Sequence, residues 1–232
     1  MIIAPRRPTR ERLRFLANHR GSMLRALEEE IITSLQFHGR LLDVGGGASS
    51  AYNRLLPTNV DVQSLNINPS TRPSVVAYAD RAFPFGDKAF DAVISFNTLE
   101  HVYGAGLCLE EMVRVLRPGG AIHLLVPFLF PIHGRYRDYH RHTAQYWDRR
   151  CGELGLEVFV EPLTWGAFSA AQALLERLKG GRRLRRLALE VALWQCRHAP
   201  QSFRLDGQIG HDYATCALGY YVAGRRPAEP GR

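Results

Sequence analysis

The chain has 232 residues, enough for one full α/β domain with an insertion and too few for two sizeable ones. Hydrophobic residues make up 46%, ordinary for a globular protein, and no apolar run has the length of a membrane span. The opening Pro5-Arg6-Arg7-Pro8 is not a signal peptide, and the four cysteines (Cys108, Cys151, Cys196, Cys216) lie far apart with no C-x-x-C, so neither a zinc site nor a disulfide framework is expected. A reducing cytoplasm is the expected location.

The net charge of +8 is unevenly spread. Arg6, Arg7, Arg10, Arg12 and Arg14 crowd the amino end, and Arg177, Lys179, Arg182, Arg183, Arg185 and Arg186 crowd a later stretch. Phosphorylated substrates, a membrane surface or RNA would suit such clusters, as would a plain solvated face.

In chain order, residues 9–38 predict helix, divided near Gly21, with apolar positions from Leu13 to Leu35 on one side. Arg40 to Val44 reads as a first, buried strand. The run Gly45-Gly46-Gly47-Ala48-Ser49-Ser50 then makes a sharp turn into a helix capped by Ser49 or Ser50 and ending near Leu56, before Pro57. The amides at that helix start would hold a carboxylate or phosphate. Further strands are expected at Val62–Ile67, Ser74–Ala79 and Phe90–Phe96, the last an almost continuous apolar run, as when both faces are covered. A helix over Ala105–Leu116, closed by Arg117-Pro118-Gly119-Gly120, leads to a strand at Ala121–Val126. A helix from Thr143 to Leu154 precedes a strand at Glu157–Val160, the last strand is Ala217–Ala223, and the tail after Arg225 is expected to lack structure. This alternation predicts a doubly wound, mostly parallel sheet whose ligands sit beyond the carboxyl ends of the strands. The expected organisation is one domain: N-terminal helices (1–38), a core (39–162 and 211–225) and a helical insertion (163–210).

Two fingerprints are excluded by the glycine run. It lacks the third glycine of G-x-G-x-x-G, and no Gly-Lys-Ser/Thr follows for a phosphate loop. What remains is Asp43 at a strand end followed by G-x-G. With it, in order and spacing, come Asp80 before Phe83-Pro84-Phe85, then Phe90-Asp91-Ala92-Val93-Ile94-Ser95, Leu99-Glu100-His101-Val102 and Leu116-Arg117-Pro118-Gly119-Gly120. Together these resemble the small-molecule branch of the class I S-adenosylmethionine (SAM) dependent methyltransferases, over residues 38–160.

The resemblance implies a Rossmann-like seven-stranded sheet, SAM as cofactor and S-adenosylhomocysteine as product. It implies that Asp43 and the backbone of Gly45, Gly46 and Gly47 line the methionine part of SAM, and that Asp80 and Arg81 receive the adenine. Asn97 would lie near the sulfonium, and Leu99 and Val102 in the core. Asn66, with Ile67 beside it, stands where the family carries an acid for the ribose hydroxyls. An amide there forfeits charge-assisted bonds worth about 1–2 kcal/mol.

His101 is a candidate base because neutral imidazole takes a proton near pH 7, although a packing role fits equally well. The stretch from Pro127-Phe128 to His133, then Asp138-Tyr139-His140-Arg141-His142-Thr143, bears a looser resemblance to methyltransferases of surface-polysaccharide and glycan pathways. Its aromatics suit sugar faces, its arginines suit anions, and His133, Tyr139 and His140 are candidate site residues. An Asp138–Arg141 ion pair with Thr143 as a helix cap is the structural alternative. No acid cluster calls for a metal. Leu184, Leu187, Ala188, Val191 and Trp194 form a basic amphipathic stripe, suiting a lid or a homodimer contact ahead of a peripheral membrane contact. The expected activity is O-methylation of a hydroxyl on a sugar, glycan precursor or related small-molecule acceptor. RNA methylation is disfavoured by Asn97-Thr98-Leu99-Glu100, which is no N-P-P-Y motif, and a catalytically silent partner protein is the remaining alternative.

Overall fold

A computed structural model describes residues 22–132, 137–164, 187, 190, 191, 194 and 216–229. The first part of the N-terminal helical segment, most of the insertion, and His133 lie outside the described residues.

The chain forms two compact units. The smaller comprises Met1–Ser34, Pro127–Ile132 and Pro162–Tyr220. Its helix α1 (Met23–Ser34) buries Leu24, Leu27 and Ile31, one stripe at spacings of three and four. Within the same unit, Phe128 N–H donates to the Leu218 carbonyl and Leu218 N–H to that of Leu163.

The larger unit comprises Leu35–Val126, His133–Glu161 and Tyr221–Arg232 and carries the candidate site. The chain's further elements are β1 (Arg40–Val44), β2 (Asp61–Asn66), β3 (Val75–Val76), β4 (Phe90–Phe96), α2 (Ala105–Val115), β5 (Leu116–Pro127), α3 (Ala144–Glu153), β6 (Glu157–Leu163) and β7 (Gly219–Arg225). The strands form one seven-stranded sheet in the order β3-β2-β1-β4-β5-β7-β6, with β1 to β5 paired in parallel. The order reverses at β1, between β2 and β4, and the ends of these three strands make the crevice where a doubly wound sheet binds its ligand.

β1 and β4 fall where expected, because a strand covered on both faces must be apolar throughout. Other boundaries moved. The helix expected after the glycines is a short 3-10 turn, Ala51–Leu55. The Gly47 carbonyl is taken by Ser50 N–H, three residues on, and by Asn53 Nδ2, while Ser50 Oγ accepts from Gly47 N–H. Ser50 holds the cap position, yet its hydroxyl caps nothing in the helix, and so short a turn has little dipole for an anion. β3 is only two residues long, at the sheet edge. β5 begins at Leu116, since Arg117–Gly120 is a bulge in the strand, with Gly119 at φ +79°, where a turn was expected. β6 runs through Pro162, whose missing N–H is tolerated on an edge strand. The tail continues past Arg225: Arg226 exchanges backbone bonds with Gly119 and Gly120, and Lys88 pairs with Glu229.

The loop carrying Asp80 is clamped from α2. Glu111 accepts from Phe83 N–H at 2.6 Å and from both Arg114 Nε and an Arg114 terminal nitrogen at 2.7 Å. Arg114 also donates to the carbonyls of Phe83 and Phe85 and to Asp87. The Arg114 side chain beside it holds the Glu111 carboxyl below the usual range. Arg114→Ala should destabilise the protein by about 1–3 kcal/mol. Amide exchange at Phe83 should accelerate while β4 amides stay protected; an unchanged Phe83 amide would show that the loop holds itself.

Candidate functional site

β1 carries Asp43 into the sheet interior, where it is 1% exposed. Its carboxylate meets the Tyr52 hydroxyl at 2.9 and 2.8 Å, one contact to each oxygen. Tyr52 is fixed in turn by an edge-on contact with Phe96, ring centres 5.2 Å apart. Glycine is obligatory above this group: a Cβ at Gly46 would lie 1.7 Å from an Asp43 oxygen and 2.4 Å from the Tyr52 hydroxyl. Gly45 bends at φ +95°, a conformation side-chain-bearing residues rarely adopt, against Thr98.

The turn's amides are largely spent inside the protein. Gly45 N–H bonds Leu65, Gly47 N–H bonds Ser50 Oγ, and Ala48 and Ser49 N–H bond the carbonyls of Arg72 and Thr71. Of the amides expected to receive a carboxylate, only Gly46 N–H has no partner among the described residues. The 66–72 loop thus folds against the turn. Asn66 Nδ2 donates to the carbonyls of Gly45 and Gly46 (3.1 Å to the latter), and its Oδ1 accepts from Asn68 N–H at 2.9 Å. Ile67, next in the chain, is 46% exposed.

Asp80 and Arg81 follow β3, with Arg81 exposed and Asp80 against Gly104, where a Cβ would come within 2.9 Å of the Asp80 Cβ. Asn97 ends β4 in a left-handed conformation, φ 51°. Its Nδ2 is buried with no hydrogen-bond partner among the described residues. A buried carboxylate, one uncommitted backbone N–H and an orphaned amide form a donor and acceptor set that fits an amino-acid zwitterion.

Beyond β4, two stretches distant in sequence are joined. Tyr139 N–H donates to the Glu100 carbonyl at 2.7 Å. His101 Nδ1 lies 2.9 Å from the Arg137 carbonyl, and His140 Nε2 lies 3.0 Å from that of Tyr103. A carbonyl only accepts, so both ring nitrogens carry hydrogen. In neutral His101 the lone pair is therefore on Nε2, 3.7 Å from a Glu100 carboxylate oxygen. Neutral His140 keeps Nδ1 as its acceptor. Tyr103 and Tyr139, 75% and 41% exposed, meet edge to face with centres 5.3 Å apart. A stack of His140, His142 and Tyr146 continues from them, with Trp147 at its edge. Desolvation, and then the charge of His140, hold His142 below the usual histidine range.

Asp138 and Arg141 form the bidentate ion pair of the structural alternative. Thr143 occupies the cap position of α3 without a capping bond from its hydroxyl. Leu99 is buried, as expected, whereas Val102 is half-buried. Sequence reasoning missed Tyr52, Thr98, Tyr103 and the Glu111–Arg114 clamp; only the clamp left a local trace, an acid and a base three apart on a helix face. Among the described residues no group of three or more His, Cys, Asp and Glu could hold a metal, and no helix is long and apolar enough to cross a membrane.

Burial raises the Asp43 carboxyl from 3.8 to about 7, against the opposing pull of the Tyr52 hydroxyl. The unfolded chain releases this proton near pH 4 and the folded chain near 7. The folded state therefore binds more protons in between, and the Asp43 contribution to stability declines as pH rises through that window. Asp43→Asn lacks this dependence. Its melting temperature, relative to the natural chain, should rise from pH 4 to 7 and level off above. A constant difference across that range would mean that Asp43 does not titrate there.

Residues 42–124 match a family described as a methyltransferase domain. An uncharacterized methyltransferase of Mycolicibacterium gilvum is 30% identical over 161 residues, 57% of this chain and 62% of that protein. A demethylmenaquinone methyltransferase of Renibacterium salmoninarum is 33% identical over 108 residues, 42% of this chain and 45% of the other. The chain spans less than two thirds of the length of either relative. Phosphoethanolamine N-methyltransferase 2 of Haemonchus contortus, in complex with SAM, shares the fold with a TM-score of 0.51 at 15% identity, over 85% of this chain and 51% of that one. Motifs, sheet order and these likenesses agree: residues 42–124 resemble a methyltransferase domain, and the sheet has the fold of the class I SAM-dependent methyltransferases.

Proposed function

We propose that the chain is a SAM-dependent methyltransferase that O-methylates a hydroxyl of a sugar, glycan precursor or related small molecule. In this reading Asp43 and Gly46 N–H hold the methionine end of SAM, Asp80, Arg81 and Ile67 border the nucleoside, and Asn97 lies beside the sulfonium. Asn66 belongs to the same site. SAM supplies a methyl group already activated on sulfur. The protein's task is then to align a nucleophile, exclude water and take up a proton.

The observation that carries the oxygen-acceptor reading is the tautomer of His101. With Nδ1 donating to the Arg137 carbonyl, Nε2 is the acceptor and the ring orientation is fixed. A hydroxyl must lose its proton on methylation, and His101 Nε2 is the group that takes it, with Glu100 alongside. Tyr139 and His140 border the acceptor, and the exposed faces of Tyr103 and Tyr139 form a corner suited to a ring-shaped molecule. The same corner suits an aromatic acceptor, a second reading favoured by the relative named a demethylmenaquinone methyltransferase.

Calorimetry with SAM and S-adenosylhomocysteine tests the cofactor half: micromolar binding is expected, lost in Asp43→Ala. No binding at millimolar concentration would sink the enzyme reading in favour of a silent partner. Turnover is read with methyl-labelled SAM and a panel of sugar phosphates, glycosides, hydroquinones and RNA. Label in the RNA fraction, or in hydroquinones alone, would displace the sugar reading. His101→Ala should reduce turnover on the accepted class by about 100-fold or more while leaving SAM affinity nearly intact. Parallel loss of SAM affinity would reassign His101 to packing.

A further inference from the structure

We infer that Asn66 is a positioning residue whose side-chain amide keys the loop after β2 onto the glycine turn after β1 and so aims the Gly46 N–H. The inference deepens the SAM reading and rests on it for its affinity readout alone.

Three bonds define the amide's orientation. Two carbonyls, Gly45 and Gly46, face Nδ2, and one amide, Asn68 N–H, faces Oδ1. Carbonyls demand a donor and the N–H demands an acceptor, so the alternative flip is excluded. Further bonds from the same loop close on the turn: Ala48 N–H to Arg72, Ser49 N–H to Thr71, and Ser49 Oγ to Thr71 at 3.1 Å. Gly47 lies so close that a Cβ there would stand 2.4 Å from the Thr71 carbonyl. The two loops are one assembly.

The consequence for the site follows from peptide geometry. In a planar trans peptide the carbonyl and the next N–H point in opposite directions, and no cis bond occurs among the described residues. Holding the Gly45 carbonyl towards Asn66 therefore turns the Gly46 N–H away from it, and that is the one amide of the turn left without a partner among the described residues. Glycine supplies no side chain to hold this peptide in place, so an external anchor is needed. Asn66 provides it, with both amide hydrogens committed to backbone carbonyls. A carboxylate in its place would set negative oxygen against two carbonyl oxygens. Asparagine is here a requirement of the turn and not a weakened ribose ligand.

The discriminating variant is Asn66→Asp, since the two roles predict opposite signs. If the amide anchors the turn, the unliganded protein melts several degrees lower. Its Kd for SAM, measured by calorimetry well below the melting range, then rises by at least about tenfold, the equivalent of one hydrogen bond. If the side chain instead serves ribose, Asn66→Asp binds SAM as tightly as the natural chain or more tightly, with melting unchanged; that result overturns the inference. Should Asn66→Asp fail to fold, Asn66→Ala decides: a lowered melting temperature without ligand supports the anchor, and unchanged melting with weakened SAM binding refutes it. If the natural chain binds no SAM, the enzyme reading falls, and the unliganded melting comparison still judges the anchor.

Discussion

A carboxyl group buried at the end of β1 is the constraint around which this structure is arranged. Burying Asp43 is unfavourable unless its oxygens find donors, and the protein supplies one in Tyr52. Every nearby choice answers that demand. Gly46 has no side chain because one would overlap the carboxylate and the Tyr52 hydroxyl alike. Gly45 turns through positive φ to bring the next peptide over the acid, and Phe96 backs the Tyr52 ring. The one donor does not return the carboxyl to its ordinary range, leaving it at about 7. An acid in this state responds strongly to a cation. An ammonium placed against it would stabilise the ionised form, which couples ligand binding to release of a proton.

How much of this was legible depended on the sequence distance between partners. β1 and β4 could be read directly because both faces are buried and their residues are apolar almost without interruption. Asp43 and the three glycines are consecutive, so their meaning is local. β3 and β6 lie where expected but differ in length, because edge strands are held partly by their neighbours and tolerate exposed residues and proline. The helix expected after the glycines gave way to side-chain bonds from Ser50 and Asn53 that a propensity argument does not count. Asp138 and Arg141 carry both readings in the sequence, and in the structure they form the ion pair.

The proposed acceptor side is assembled differently from the proposed cofactor side. His101 ends a short 3-10 turn, Leu99–His101, and Tyr139 and His140 lie in a loop; the two stretches are held together by backbone carbonyls of Glu100, Tyr103 and Arg137. Carbonyls are present whatever the side chain, so neither His101 nor His140 announces its partner in the sequence. The arrangement fixes ring orientation while leaving the neighbouring side chains free to change. A scaffold of this kind positions chemistry without dictating what is bound, as loops on a rigid sheet commonly do.

That division bears on what likeness can say about the acceptor. The matched family segment, residues 42–124, contains Asp43, the glycine turn, Asn66, Asp80, Asn97 and His101, the groups that would meet the cofactor and take a proton. Tyr139, His140, His142 and Tyr146 lie beyond it. A relative's resemblance within that segment thus speaks to how the activated methyl group is held and is nearly silent about where it goes. The acceptor must be argued from residues the family match does not reach. With Tyr103 and His101 of the matched segment, the described ones give a corner of two tyrosine rings, a histidine stack and one oriented acceptor nitrogen. In the proposed reading, a ring-shaped molecule bearing a hydroxyl would meet all three together.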